Sequence, residues 1–363
     1  MARAGKVRLL HLADVHLGAP LPWLGERGAA QRRQVRETFA RALQKGLAEH
    51  VRAVVVAGDL FATPRPPREL AEFVAAQLGR VTAAGIPVVI AAGEADALEA
   101  DGTYAAGALA GVPGVTVLPP TPAVIELPET PLAVSGRSRR RGETGTWRLP
   151  APAPAAPTVG VGHVGVKEAA EALAAARDAG LAYLALGGLH RVHMLPASVP
   201  AWYAGTPELV DRDGQGEGGL LVTLSDGPPQ VSALRLGRRR AEVVTVAAAS
   251  LATTDALAAA LETHADGDLV LHVRLTGEVP PGHFLDVAAV RERLASRFFA
   301  LEISDETTVG LQAPAAGDVT VRGKFLALAQ RRLGEARTPE EARRVAQAAR
   351  LGLWLLATGG KAS

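Results

Sequence analysis

Three apolar runs, "VRLLHLA" from Val7, "RAVVVAG" from Arg52 and "IPVVIAA" from Ile86, each stop abruptly at a polar loop. Between them lie two stretches of helical periodicity, residues 29–50 and 67–84. Short continuous apolar runs alternating with amphipathic helices predict an α/β layered fold whose strands are covered on both faces. In such folds ligand-binding groups collect just beyond the strand ends. Here those loops read "DVH" at 14–16, "GDLF" at 58–61 and "GEAD" at 93–96.

The same rhythm continues further on. Residues 137–157 interrupt it with an Arg-rich and then Pro/Ala-rich stretch that reads as an exposed excursion. "TVGVGHV" and "AYLALGG" are then expected as strands on either side of a helix at 167–179, and "GLLVTL" and "QVSALRL" as a hairpin around "SDGPP". A first domain is expected over 1–240. After it, "EVVTVA", a helix at 253–264, "LVLHVRL", a helix at 285–299 and "ALEIS" predict a small β-α-β-α-β capping domain over 241–310, with Leu269, Leu271, Val273 and Leu275 on one strand face. The remaining segment, 311–363, turns helical, and Thr338-Pro339-Glu340-Glu341 forms a capping box with Pro at the first helical position. Its apolar positions exceed what a short helical pair buries alone, which predicts a partner-docking surface.

Composition narrows the chemistry. A chain of 363 residues without cysteine has no disulfide, thiolate nucleophile or zinc–thiolate site, so any metal must be held by its nine histidines and its carboxylates. Lys and Arg number 39 against 37 Asp and Glu, a net charge of +2 that does not by itself point to nucleic acid, and aromatics at 4% are too sparse for a base-stacking platform. There is no run of 18 apolar residues and no signal-peptide pattern after Met1, so a soluble, cytoplasmic protein is expected.

Asp14 and His16 stand two residues apart at a strand end, a spacing suited to binding one metal ion. Asp59 follows Gly58 at the end of the second strand, and His163 and His190 stand at the ends of two later ones. Four strand-end loops thus each offer a ligand type. Arg137, Arg139, Arg140 and Arg141, with Trp147 and Arg148 nearby, are either a phosphate-tracking patch or a solvated excursion. His11, inside the first strand, reads as a core residue or a support for the site. His193 falls one turn past His190, and His50, His264, His272 and His283 read as ordinary surface or strand residues.

In order, D-x-H, G-D, "GEAD", "GHV" and "GGLH" resemble the motif series of the calcineurin-like metallophosphoesterases. "LHLADVHLGAP", "AGDLF", "LALGGLH", "YAGTPE" and "VRGKFLALA" look like their DNA-repair nuclease branch, the SbcD type and its YhaO-like relatives. The resemblance implies a two-sheet αββα sandwich holding two manganese ions. Asp14, His16 and His190 would hold one ion, Asp59 would bridge, and Glu94 and His163 would hold the second. It also implies a DNA exo- or endonuclease that works as a homodimer with an SbcC-like coiled-coil ATPase. Three positions depart from the pattern: Glu94 replaces an Asn ligand, Ala95 the neighbouring catalytic His, and Gly188 the first His of G-H-x-H. A weakened nuclease is therefore expected. A DNA-end-binding scaffold that does not cut and a phosphatase or nucleotide phosphodiesterase on the same fold are the alternatives.

Overall fold

The computed structural model describes residues 6–127, 130–143, 157–212, 214–251, 253–279, 285–309 and 318–358. Trp147, Arg148, His283 and the Pro/Ala-rich segment lie outside these. The chain divides into two compact units, Met1–Arg240 and Ala241–Ser363.

The first unit contains strands β1 (Val7–Leu12), β2 (Ala53–Ala57), β3 (Val88–Ala91), β4 (Val115–Val117), β5 (Ala123–Glu126), β6 (Ala133–Gly136), β7 (Thr158–His163), β8 (Tyr183–Gly187), β9 (Val192–Leu195), β10 (Ala201–Ala204), β11 (Leu220–Leu224) and β12 (Gln230–Ala233). Its helices are α1 (Gly28–Ala48), α2 (Arg68–Ala83), the single turn α3 (Thr103–Ala106) and α4 (Ala169–Asp178). Two six-stranded sheets result, ordered β12-β11-β1-β2-β3-β4 and β5-β6-β7-β8-β10-β9. This is the mixed α/β architecture with two multi-stranded sheets that the sequence predicts.

Strand alternation explains the layering. In β1 and β2, Leu9, Val55 and Ala57 join Val134, Val159, Val161 and Ala185 of the other sheet in one core between the sheets. The intervening Leu10, Leu12, Val54 and Val56 face outward into a second core with Phe39 and Leu43 of α1 and Val74 and Leu78 of α2. On the far side, Leu184 and Leu186 of β8 pack with Ala172 and Ala176 of α4. Because side chains alternate with period two, each strand serves two cores at once, which is why these runs are apolar throughout.

The second unit has β13 (Arg240–Ala247), β14 (Asp266–Thr276) and β16 (Phe298–Asp305) in one sheet, β15 (Glu278–Val279) paired with β17 (Thr308–Val309), and helices α5 (Thr254–Glu262), α6 (Val287–Leu294), α7 (Val321–Glu335) and α8 (Pro339–Thr358). Leu269, Leu271, Val273 and Leu275 form its core with Leu257, Leu261, Val290 and Leu294. The terminal helices lie within this unit. Arg350 of α8 is buried, donating to Thr307 Oγ1 at 2.6 Å and pairing with Asp305 at 2.5 Å. Ala349 and Leu353 are buried beside it, while Leu351, Leu355 and Leu356 remain exposed. Only part of the predicted apolar excess is therefore left uncovered. Among the described residues, no helix is long and apolar enough to cross a membrane.

Candidate metal centre

Strands β1 and β2 run parallel, and their loops continue side by side past the sheet edge. Asp14 N–H donates to Gly58 O at 3.0 Å, His16 N–H to Asp59 O at 2.9 Å and Leu17 N–H to Leu60 O at 3.0 Å. Asp14, His16 and Asp59 all take left-handed backbone angles, with φ of 50°, 49° and 51°. Such angles are unfavourable for residues with a side chain and persist only where the surroundings fix them. Gly58 at φ 92° is required by close approach, because a Cβ there would come within 2.5 Å of His163 Cβ.

These loops bring the predicted ligands together. Asp14, His16 and His190 form one group, and Asp14, Asp59 and His163 another, each with ligand atoms within 4.8 Å of one another. His16 Nε2 lies 3.0 Å from His190 Nε2. His163 Nε2 lies 3.2 Å from Asp14 Oδ1 and 3.3 Å from Asp59 Oδ2, and His16 Nε2 lies 3.6 Å from Asp59 Oδ2. Asp14, Asp59 and His163 are buried. Two carboxylates and three imidazoles at this spacing fit a divalent cation, since carboxylate and imidazole are the donor types such ions take.

Electrostatics follows the same layout. Burial works against a charge on His163, but Asp14 and Asp59 overcome it and raise its pKa to about 10. Burial likewise opposes charge on His190, yet Asp211 and the other carboxylates raise it above the usual histidine value. His16 is lowered, chiefly by burial. Burial pushes Asp59 up, but His163 and His16 bring its pKa below the usual carboxylate value.

Glu94 is not drawn in. Its side chain is exposed and lies outside both groups. The cause is the buried carboxylate of Asp96, which accepts from Gly93 N at 2.7 Å, Asp59 N at 3.2 Å, Phe61 N at 3.1 Å and Tyr104 Oη at 2.5 Å. Burial and then Asp59 push the pKa of Asp96 up to about 6, against those hydrogen bonds. The third loop therefore turns its backbone towards the centre, and Ala95 N–H donates to Asp59 Oδ1 at 2.9 Å. Gly188 does the same from the other side, donating to both Asp14 oxygens at 3.0 Å. With φ at 103° and Val164 O only 2.8 Å from where its Cβ would stand, position 188 resists any side chain.

Sequence reading missed the supports. Asp211 Oδ2 accepts from His190 Nδ1 at 2.5 Å, which fixes the tautomer and aims Nε2 into the centre. Glu208 of "YAGTPE" is buried and accepts from Thr38 Oγ1 at 2.8 Å, Arg238 N at 2.9 Å and Arg239 N at 3.0 Å. Both acids lie in the connection between β10 and β11, where no sequence spacing signals them. Of the predicted arginines, Arg137 pairs with Glu143, Arg139 with Glu168 and Arg141 with Glu99. Arg139 Nε also donates to His163 O at 2.8 Å, so this side chain positions the His163 loop. Arg140 is exposed. His11 is buried 3.1 Å from the Tyr183 hydroxyl, and burial lowers its pKa to about 3, so it is a neutral core residue.

With this geometry in place, residues 7–147 match the model of the calcineurin-like phosphoesterase family. The chain carries a calcineurin-like metallophosphoesterase domain. Similar relatives include DNA double-strand break repair proteins Mre11. That of Sulfurisphaera tokodaii is 37% identical over 92 residues, 25% of this chain and 22% of the relative. That of Aeropyrum pernix is 38% identical over 89 residues, 24% and 21% of the two chains. That of Methanopyrus kandleri is 37% identical over 87 residues, 24% and 18%. The matches thus span about a fifth of these relatives' length. The solved structure of TT1561 from Thermus thermophilus aligns at a TM-score of 0.40 and 11% identity over 63% of this chain and 99% of that one, a likeness too weak to carry argument.

Proposed function

We propose that this protein is a metal-dependent phosphodiesterase acting on DNA, the nuclease subunit of a DNA-end-processing complex of the SbcD type. The observation that carries this reading is the facing pair His16 and His190, 3.0 Å apart beside the buried Asp14 and Asp59. Asp14, His16, Asp59 and His190 would hold one divalent ion, manganese by the resemblance, and Asp59 with His163 would contribute to a second. A bound ion of this kind supplies electrophilic charge at a phosphoryl oxygen and lowers the pKa of water. Asp211 holds His190 in its ligating tautomer, Arg139 sets the position of His163, and Asp96 fixes the Asp59 loop against the third strand.

A second reading has an observation of its own. The methyl side chain of Ala95 has no proton to donate, Glu94 is exposed, and backbone N–H groups occupy Asp14 and Asp59 where the motif series has further ligands. This favours slow cleavage or a DNA-end-binding role without cleavage. The Mre11 names of the relatives support DNA as the substrate class, and the SbcD likeness supports a homodimer with a coiled-coil ATPase, with the exposed Leu351, Leu355 and Leu356 of α8 as the candidate contact. A manganese-dependent nuclease assay of the purified chain beside Asp59→Ala tests the reading. Cleavage that disappears in the variant supports the enzyme. Cleavage equal in both belongs to a contaminant, and no cleavage in either favours the scaffold.

A further inference from the structure

Beside the candidate metal centre, a cavity of about 660 Å³ opens between the loop after β8 and strands β9 and β10. Gly188 and His190 are among its lining residues, with Val166, Leu189, Leu195 and Tyr203 and the charged Arg191 and Asp211. Phosphate alone would fill a small part of this volume. Apolar side chains on one part of the lining and the polar His190, Arg191, His193, Tyr203 and Asp211 on the rest suit an organic ligand that carries polar groups.

Tyr203 is the unusual member. The residue is fully buried, and its hydroxyl is a buried polar atom without a hydrogen-bond partner. Buried hydroxyls are nearly always satisfied, because leaving one unpaired costs about 1–3 kcal/mol. The cost is offset if a ligand completes the bond. Burial, with Asp14 and Glu168, pushes the phenol up to about 12, so it remains a donor across the working pH range.

We infer that this cavity takes the organic group of a phosphoester held at the metal centre, and that the Tyr203 hydroxyl is its polar anchor, donating to an oxygen of that group. Tyr203 would thus act as a specificity-determining residue. The inference rests on the phosphodiesterase reading above and names where the substrate's organic portion sits.

The test measures binding of inorganic phosphate and of thymidine 5′-monophosphate to the full, manganese-loaded chain and to Tyr203→Phe. The wild type should bind the nucleotide more tightly than phosphate. In Tyr203→Phe the nucleotide should bind about 10-fold more weakly, the loss of one hydrogen bond, with phosphate and manganese affinity unchanged. The variant should melt at the same or a higher temperature, since it removes an unpaired buried hydroxyl. Nucleotide affinity unchanged in the variant, or no greater than phosphate affinity in the wild type, would overturn the inference while leaving the phosphodiesterase reading in place. A manganese-loaded wild type that binds neither ligand would overturn both.

Discussion

The two halves of the candidate metal centre are built around the same two strand-end loops yet are completed in different ways. In the half containing His16 and His190, side chains do the work: two imidazoles face each other, and Asp211 holds one of them from behind. In the half containing His163, backbone does it. Ala95 N–H occupies Oδ1 of Asp59, while Gly188 N–H reaches both oxygens of Asp14, which belongs to both groups. A carboxylate satisfied by protein donors has less need of a cation. The difference teaches that loss of a ligand need not leave a hole, because neighbouring amides can stabilise the remaining charge.

The largest change should come from Asp59, the carboxylate that the proposed two-ion arrangement shares between the halves. Asp59→Ala should weaken manganese binding throughout, by more than the roughly 100-fold that losing a supporting partner costs. Calorimetric titration would show it, and retention of one tight site would mean that Asp14 and the histidines suffice. Asp211→Asn should strike only the His16–His190 half, lowering affinity there by about 10–100-fold while the His163 half is unaffected. Equal losses in both halves would show that the centre responds as a unit.

Acidity should weaken both halves, since His190 is raised as well as His163. His163 must lose its proton to ligate, and its pKa is raised to about 10, so metal competes with that proton throughout the neutral range. Manganese affinity in this half should therefore rise with pH through pH 9, by up to about tenfold per unit. An affinity flat above pH 7 would mean that His163 is already neutral. The smallest effect is expected from Ala95→His, because the added imidazole needs a substrate positioned by a completed metal pair. Its gain in cleavage should fall below the about 10²–10⁴-fold usual for a general acid. A gain in that full range would place the deficit in proton transfer alone.

Much of this was legible in the chain. Continuous apolar runs such as "VVVA" disclosed strands covered on both faces, and strand ends pointed to Asp14, His16, Asp59, His163 and His190, which the structure gathers into two groups. Glu94 was misplaced because the direction of a loop side chain depends on a distant hydrogen bond, here the clamp of Asp96 on Gly93, Asp59 and Phe61. Asp211 and Arg139 escaped because support is defined by what lies opposite in space, and neither sits in a repeated spacing. Arg137, Arg139 and Arg141, read as either a phosphate-tracking patch or a solvated excursion, have carboxylate partners up to 42 residues away that no local pattern discloses.

The central claim is the inequality of the two halves, and it is tested most directly by titrating manganese into the full chain and into His163→Ala. The account predicts one tight ion and a second bound at least about 10-fold more weakly, with His163→Ala losing only the weak one. Two ions of equal, high affinity, or loss of the tight ion in His163→Ala, would contradict it.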